Sequence, residues 1–362
     1  MPASTTLLQR LLAAGAALSL VAAVGANASI ARALTAPTIT VIDINPEGDS
    51  YALDDSDEDG VAVNGMLLFG ADDGTHGRDL YKSDGTVAGT MLVKDINPTG
   101  NSWPSYMVAM GTTAYFSAED GTNDYEFWKS DGTEAGTVLV KDINTSGDSL
   151  PRDIVVVGST LYFGATDGMN GRELWKSDGT AAGTVLVKNI NAGGDSGPGD
   201  LTTLGSTLYF EANDGTSGYE LWKSDGTTAG TVMVKDIRPS FGSNAEYFKT
   251  FGNLLYFMAN DGVNGTEMYL SDGTAAGTMR IPAPSATDYV NCDCYDNPIR
   301  ATSTGVFFTY DDNTVGNELG FTSGALPETN TSGSALALAL LALSGALAAG
   351  AVIARRKELR AN

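Results

Sequence analysis

The sequence predicts an all-β protein, a six-bladed β-propeller that is built from a repeat of 47 residues. Three observations support this prediction. One peptide recurs five times at a constant spacing, each copy is flanked by short apolar segments and Asp-Gly turns, and the two ends of the repeat array are complementary halves of one unit. A glycine count of 44 together with 42% apolar residues also fits a turn-rich β-protein.

The repeat is marked by the peptides KSDGTVAGT, KSDGTEAGT, KSDGTAAGT, KSDGTTAGT and LSDGTAAGT. Their aspartates are Asp84, Asp131, Asp178, Asp225 and Asp272. An apolar strand and an Asp-Gly turn precede each peptide, and a β-branched strand follows it. A weaker fourth strand comes next, as in residues 153–157 and 200–204. Four short strands joined by tight turns make one propeller blade.

The ends of the array indicate how the fold closes. Residues 38–46 match the tail of a unit, whereas residues 306–312 and 317–319 match the first half of a unit. Five whole repeats and two halves make six blades. A blade built from both chain ends leaves no open sheet edge, whereas an open solenoid would need polar caps. The sequence therefore favours a closed propeller over a solenoid.

The N-terminus has the pattern of a secretory signal. Arg10 provides a positive charge, residues 11–24 are apolar, and Ala26-Asn27-Ala28 is a small-x-small cleavage site. A buried N-terminal helix is the alternative, and cleavage after Ala33 is a second option. We expect the protein to be exported.

The C-terminus has the pattern of a membrane anchor. Residues 335–354 are uncharged and apolar, long enough to cross a bilayer, and Arg355, Arg356 and Lys357 follow at once. Upstream lies a short motif consisting of Leu326, Pro327, Glu328, Thr329 and Asn330. It resembles the sortase sorting signal of Gram-positive cell-wall proteins, with asparagine in place of glycine, and it is also similar to exosortase-type tails. The resemblance implies a cell-surface protein that is processed by such a transpeptidase; a plain single-pass anchor is the alternative.

A second resemblance concerns the repeat itself. Residues 173–180 read ELWKSDGT, and residues 220–227 read the same. These peptides resemble the ELWxxDGT repeat family of bacterial surface proteins, over nearly all of residues 60–282. The resemblance implies extracellular, often anchored repeat proteins with no established shared activity.

These patterns divide the chain into successive segments. The predicted segments are a signal peptide at 1–28, a leader at 29–37, the propeller at 38–323, a linker at 324–334, a transmembrane helix at 335–354 and a basic tail at 355–362. Within the propeller the units lie near 60–106, 107–153, 154–200, 201–247 and 248–302, and the halves 38–59 and 303–323 complete the sixth blade.

Two repeated positions have structural and functional interpretations. One holds an aromatic residue in each unit, namely Tyr81, Trp128, Trp175, Trp222 and Tyr269. We expect these rings to pack one blade against the next; a sugar-stacking platform is the alternative. The repeated Asp-Gly pairs suit tight turns, since glycine accepts positive φ and aspartate bonds to nearby backbone. Calcium binding by the repeated aspartates is less compatible with one carboxylate per turn.

Three irregular features are candidate sites. In an acidic insertion, Asp55, Asp57 and Asp59 match the opening of a calcium loop, although Met66 stands where the loop's bidentate acid belongs. The insertion is therefore a calcium site or a solvated acidic loop.

The other two irregular features are a cysteine pair and a tryptophan. Cys292 and Cys294 are candidates for a local disulfide in an exported protein. Trp103 has no aromatic counterpart in the other units, so it is a candidate ligand contact, with simple packing at the rim as the alternative.

Charge and motifs limit the function. A net charge of −23 disfavours nucleic-acid binding. No serine, metal or cysteine catalytic motif is present, and His76 is the single histidine. We therefore expect a surface protein for binding, adhesion or a structural role, without catalysis, whose ligand is an unidentified glycan or protein. The alternative is a carbohydrate-active hydrolase that uses unrepeated carboxylates, and it gains support if unrepeated acids and aromatic residues meet at one end of the propeller.

Overall fold

A computed structural model describes residues 39–53, 60–282, 299–311 and 317–322. The chain divides into residues 1–40 and 41–362, and the fold described below belongs to the second unit. Several predicted features lie outside the described residues. They are the signal peptide, the calcium-loop residues Asp55, Asp57 and Asp59, the pair Cys292 and Cys294, the motif Leu326 to Asn330, the apolar segment 335–354 and the basic tail.

The described residues form six antiparallel sheets. The first contains β1 (Gly60–Val63), β2 (Met66–Asp72), β3 (Arg78–Ser83) and β4 (Met91–Lys94). The second contains β5 (Ser105–Met110), β6 (Thr113–Glu119), β7 (Tyr125–Ser130) and β8 (Val138–Lys141). The third contains β9 (Arg152–Val157), β10 (Thr160–Thr166), β11 (Arg172–Ser177) and β12 (Val185–Lys188).

The other three sheets follow in chain order. The fourth contains β13 (Gly199–Leu204), β14 (Thr207–Asn213), β15 (Tyr219–Ser224) and β16 (Val232–Lys235). The fifth contains β17 (Glu246–Phe251), β18 (Leu254–Asn260), β19 (Thr266–Ser271) and β20 (Met279–Arg280). The sixth contains β21 (Ile299–Ala301), β22 (Val306–Asp311) and β23 (Asn317–Thr322).

Each sheet is a meander, since its strands pair in chain order. The first strands of successive sheets contact one another, β1 with β5, β5 with β9, and so on to β21. This is the arrangement of blades around a propeller axis, and it confirms the prediction of an all-β propeller. One detail of the prediction differs. The weak strand at residues 153–157 belongs to β9, the first strand of the next sheet, because the chain crosses to the centre after each outer strand.

The interfaces between neighbouring sheets form the core. Trp175 of the third sheet lies in one apolar cluster with Phe163 of its own sheet and with Tyr115 and Phe127 of the second sheet. The ring centroids of Phe127 and Phe163 are 4.7 Å apart. Trp128 and Trp222 hold equivalent positions at the preceding and following interfaces. The prediction that the repeated aromatic residues pack blade against blade is confirmed for Trp128, Trp175 and Trp222, whereas Tyr81 packs with Phe69 of its own sheet.

Lysines add a second connection between sheets. The Nζ of Lys129 donates to the carbonyl oxygen of Gly179 at 3.0 Å, and the Nζ of Lys141 donates to that of Thr184 at 2.8 Å. The same pair of bonds recurs at three other interfaces, made by Lys82 and Lys94, by Lys176 and Lys188, and by Lys223 and Lys235. Each lysine stem therefore spans one interface, and its ammonium group binds a turn of the next sheet.

The SDGT aspartates serve the turns, as predicted. Oδ1 of Asp178 accepts from the backbone N of Thr180 at 2.9 Å and from its Oγ1 at 2.6 Å. Gly179 between them has a φ of 86°, a conformation that favours glycine. The side chain of Asp178 is thus occupied within its own turn.

The N-terminal segment reproduces a connection between blades. Nδ2 of Asn45 donates to the carbonyl oxygen of Asp49 at 3.1 Å, and the backbone N of Asp72 donates to that of Ser50 at 2.8 Å. The linker at residues 95–104 makes the same two bonds with its own residues and β6. Residues 41–53 therefore occupy the place of a linker in front of the first sheet.

The sixth sheet has three described strands rather than four. Residues 38–46 are expected to supply its outer strand, but residues 39–44 carry no strand in the described structure. The closure of the ring by both chain ends is therefore not a feature of the described residues.

Candidate active site

One repeated carboxylate is buried and structural. Oε2 of Glu126 accepts from the backbone N of Ile143 at 2.7 Å and from Oγ of Ser149 at 2.7 Å, and Oε1 accepts from the backbone N of Ser149 at 3.1 Å. Glu126 is fully buried, and burial raises its pKa to about 7. Glu173 and Glu220 hold the following linkers in the same way. These glutamates of the ELW peptide are fixed parts of the scaffold.

The buried carboxylates predict a pH dependence of stability. The pKa of Glu126 rises from 4.5 to about 7, and burial raises that of Asp79 from 3.8 to about 6. The folded state therefore keeps protons that the unfolded state releases. This contribution to stability is full below the unfolded pKa values of 3.8 and 4.5, and it is lost as the pH rises through the folded values of about 6 and about 7. We expect a melting temperature that falls over this range in a thermal-denaturation series. The fall should be shallower in Glu126→Gln, and an unchanged slope in that variant would contradict the assignment.

Four other carboxylates lie at the beginning of a sheet's first strand or directly opposite it. Asp153 is the second residue of β9, Asp200 is the second residue of β13, and Glu246 is the first residue of β17. Glu211 lies in β14, directly opposite Gly199 in the register. We call Asp153, Asp200, Glu211 and Glu246 the central carboxylates. They come from three consecutive sheets.

Backbone irregularities place these side chains. The ladder between β9 and β10 shifts register near Arg152, and Asp153 has a φ of 52°. The ladder between β13 and β14 shifts at the equivalent place, and Asp200 also has a φ of 52°. A β-bulge re-aims the side chain that it carries. The bulges thus give two aspartates a direction that a regular strand would not provide.

Two bulge positions carry aromatic residues instead. Tyr106 in β5 has a φ of 54° and Tyr247 in β17 has a φ of 61°. Bulky residues rarely adopt this left-handed conformation. The bulge position is therefore the part of the repeat whose side chain varies between tyrosine and aspartate.

Short distances connect the central carboxylates. A Cβ on Gly199 would lie 3.2 Å from Oε1 of Glu211 and 3.8 Å from Oδ2 of Asp153. Both carboxylates thus approach the same point, where glycine leaves space. The backbone N of Tyr247 donates to Oδ2 of Asp200 at 2.7 Å, which links the fourth sheet to the fifth.

Burial and like charge perturb the central carboxylates. Burial, with further contributions from Asp200, Glu246 and Asp153, raises the pKa of Glu211 to about 8. Burial and Asp200 also raise the pKa values of Asp153 and Glu246. Glu211 therefore holds a proton at neutral pH, whereas a solvated glutamate would have lost it.

An arginine stands beside Asp153. Nη1 of Arg172 donates to the carbonyl oxygen of Leu150 at 2.8 Å and to that of Gly164 at 3.1 Å, so the guanidinium is fixed in position. Its charge opposes the rise in the pKa of Asp153. The pKa of Asp153 is still raised overall, but Arg172 limits the rise, whereas no cation limits the rise in the pKa of Glu211. Such a pair can serve as general acid and general base.

Trp103 lies at the same end of the sheets as the central carboxylates, three residues before Tyr106. Its side chain is 42% exposed, and the guanidinium of Arg78 lies 5.2 Å from the ring centroid. The free part of the ring is therefore accessible to a ligand. The unrepeated acids Glu211 and Glu246 thus occur at the same end of the sheets as Trp103, whose counterpart in the N-terminal linker is Tyr51.

Other candidate chemistry is absent from the part of the chain that the structure describes. His76 pairs with the turn residue Asp73 at 2.8 Å, where other units use asparagine or serine. Across the described ranges no group of three or more histidine, cysteine, aspartate or glutamate residues is placed to hold a metal ion. The described residues also contain no helix that is long and apolar enough to span a membrane.

The sequence analysis missed Glu211 and Glu246, although a signal for Glu211 existed. Its position in the repeated strand holds Gly70, Ser117, Gly164 and Met258 in the other units. A glutamate at a position that is otherwise small or apolar breaks the pattern of a strand covered on both faces. Comparison of the repeats detects residues that recur, and Glu211 does not recur.

Comparisons with known proteins find similarity in structure but none in sequence. No family model matches the chain, and no curated protein is similar to it in sequence. Among solved structures, it is similar to a prolyl endopeptidase at 10% identity and a TM-score of 0.47, covering 73% of this chain and 40% of that one. A puromycin hydrolase is similar at 13% identity and a TM-score of 0.44, covering 75% of this chain and 44% of that one. A mutant of puromycin hydrolase gives a TM-score of 0.45 at the same identity and coverage.

These comparisons correct one expectation. The chain spans less than half the length of each of these enzymes, and at such identity the likeness concerns the fold alone. The similar structures are named as hydrolases, whereas the sequence predicts a surface protein without catalysis, and that expectation is not retained. That expectation rested on missing serine, cysteine and histidine motifs. Catalysis by carboxylates needs none of these motifs.

Proposed function

We propose that the protein is a hydrolase whose acid and base are central carboxylates. Glu211 is the general acid and Asp153 is the general base. Asp153 takes a proton from water as the water oxygen bonds to the substrate, and Glu211 gives its proton to the leaving group as the substrate bond breaks. The observation that carries the proposal is the approach of both carboxylates to one point beside Gly199.

The surroundings support this division of roles. The raised pKa of Glu211 keeps a proton available for the leaving group at neutral pH. Arg172 favours the ionised form of Asp153, which a base needs. Neither residue recurs at its position in all units, so neither is required by the blade architecture.

A substrate panel tests the proposal. Residues 38–323 would be incubated with chromogenic amides, esters and glycosides, and product release would be recorded against pH. We expect Glu211→Gln to lower kcat by about 10²–10⁴-fold, since a glutamine cannot give up a proton. The matched control is Glu134→Gln, an exposed glutamate in a turn at the opposite end of the second sheet. Full activity in Glu211→Gln, or no hydrolysis of any class, would contradict the proposal.

We also propose that the protein is exported and held at the cell surface. The signal-like residues 1–28 and the apolar segment 335–354 with its basic tail support this location. The motif at residues 326–330 supports processing by a sortase or exosortase-like enzyme. Protease digestion of intact cells should remove the propeller, and the mass of the released C-terminus would reveal whether the motif is cut.

We further propose that the half unit at residues 38–59 completes the sixth blade together with the half unit at residues 303–323. The linker-like hydrogen bonds of residues 41–53 support this, because in every other unit a linker follows an outer strand. Leu319 and Phe321 in β23 are 68% and 50% exposed, and Val41 is 83% exposed, so apolar side chains are available at the seam. Hydrogen exchange should find the β23 amides that point away from β22 protected in the full chain and unprotected after deletion of residues 1–42.

A further inference from the structure

The most exposed apolar side chains in the described turns and linkers of the sheets lie at one end. At one end of each sheet a linker enters the first strand, and the turn between the second and third strands, for example residues 73–77, lies at the same end. We call this the linker end. The backbone N of Arg78 donates to Oδ1 of Asn101 at 2.7 Å, so turn and linker are adjacent. Six large apolar side chains are exposed there, namely Tyr51, Leu53, Trp103, Met169, Phe241 and Val263. At the opposite end the described residues expose Val87 at 63%, and they expose Met91, Val138, Val185 and Val232, at the starts of the outer strands, at 37–46%. At the linker end Met169, Phe241 and Val263 are 77–87% exposed.

Arginines hold two of these rings at the surface. The guanidinium of Arg78 lies 5.2 Å from the ring centroid of Trp103, and that of Arg238 lies 5.3 Å from the ring centroid of Phe241. Phe241 is nevertheless 77% exposed. A cation over one face of a ring stabilises it by about 0.5–1 kcal/mol at an exposed site. Arg78 is only 4% exposed, so the indole of Trp103 covers a buried guanidinium with one face, whereas the ring of Phe241 is presented to solvent.

Two further side chains extend the apolar rim. Met169 in the turn before β11 is 85% exposed, and Val263 in the turn before β19 is 87% exposed. The equivalent turn positions in other units hold Thr75, Thr122 and Thr216. The rim therefore surrounds the end at which the central carboxylates lie, and it is apolar where the repeat is usually polar.

We propose that the linker end binds a cationic polypeptide segment with apolar side chains, and that this segment is the substrate of the site above. That the bound segment is a substrate rests on the proposed hydrolase, whereas the binding of the segment does not. Charge complementarity selects the occupant, because the centre presents Asp153, Asp200 and Glu246 beside the protonated Glu211 and the whole chain carries −23. The apolar rim supplies contacts for side chains that flank the basic ones.

Intrinsic fluorescence measures this binding directly. Trp128, Trp175 and Trp222 are each only 6% exposed, so a change in emission on binding reports Trp103. The probe is a short peptide of alternating lysine and phenylalanine, and the controls replace lysine with glutamate or phenylalanine with serine. We expect a blue shift with the lysine–phenylalanine peptide, weaker binding of both controls, and an affinity that falls as salt is added. The shift should be lost in Trp103→Phe.

Surface variants locate the binding site. Phe241→Ser and Met169→Ser should each weaken binding about tenfold. Val87→Ser at the opposite end should leave it unchanged. All three positions are exposed, so an unchanged melting temperature would verify folding. Equal binding of the glutamate peptide, or full affinity in Phe241→Ser and Met169→Ser, would overturn the inference.

The outcome is separable from that of the proposed hydrolase. Binding that persists in Glu211→Gln while no substrate class is cleaved would support the docking surface and reject the enzyme. Hydrolysis of uncharged substrates without any binding of the basic peptide would support the enzyme and reject the docking surface.

Discussion

Replacing Trp175 with alanine is expected to lower the free energy of unfolding by about 3–5 kcal/mol. The indole is 6% exposed and lies between the second and third sheets, among side chains such as Phe163 and Tyr115. Lys141 also lies over the ring, with Nζ 5.9 Å from its centroid. The loss therefore opens a large cavity at an interface and removes a contact of the lysine that joins the two sheets.

Chemical denaturation followed by circular dichroism measures this effect. The control is Trp103→Ala, which removes an exposed indole and should change stability by less than about 1 kcal/mol. If both variants unfolded at the same denaturant concentration as the parent, Trp175 would have no role in the core.

Replacing Glu173 with alanine should be comparably destabilising, by about 3–5 kcal/mol. Its carboxylate accepts from the backbone N of Ile190 at 2.8 Å, from that of Asn191 at 3.1 Å and from Oγ of Ser196 at 2.6 Å. Glu173 and Ser196 are fully buried, so the donors would lose their acceptor where water does not reach. Each buried polar group without a partner costs about 1–3 kcal/mol.

The same denaturation experiment applies, with Glu134→Ala as its control. Glu134 is an exposed glutamate, and its replacement should alter stability by about 0.5 kcal/mol or less. A Glu173→Ala variant as stable as this control would mean that the linker does not depend on the carboxylate.

The repeat made most of the fold predictable from sequence. Asp-Gly pairs and apolar runs recur at one spacing, so strands, turns and the packing of Trp128, Trp175 and Trp222 follow from local chemistry. The phase of the repeat was harder to predict. Residues 153–157 follow β8 in the sequence, yet they pair with β10, because pairing depends on the path of the linker across the propeller rather than on adjacency.

The candidate site could not be predicted in the same way. Asp153 and Asp200 point as they do because of bulges with positive φ, and nothing in the local sequence marks a bulge at a non-glycine residue. Glu211 approaches Asp153 because Gly199 opposite it has no side chain. These are relations between different sheets, whereas sequence patterns report relations along one strand. The lysine bonds that bridge the sheets could not be predicted for the same reason.

The protonation of Glu211 is the most direct test of the carboxylate site, and it needs no substrate. Carbon-13 NMR of the protein with labelled glutamate would follow each carboxyl carbon through a pH titration, and the signal missing from Glu211→Gln identifies the residue. The structure predicts a midpoint of about 8 for Glu211. A midpoint at the ordinary value near 4.5 would mean a solvated, ionised side chain, and it would remove the general acid from the proposed hydrolase.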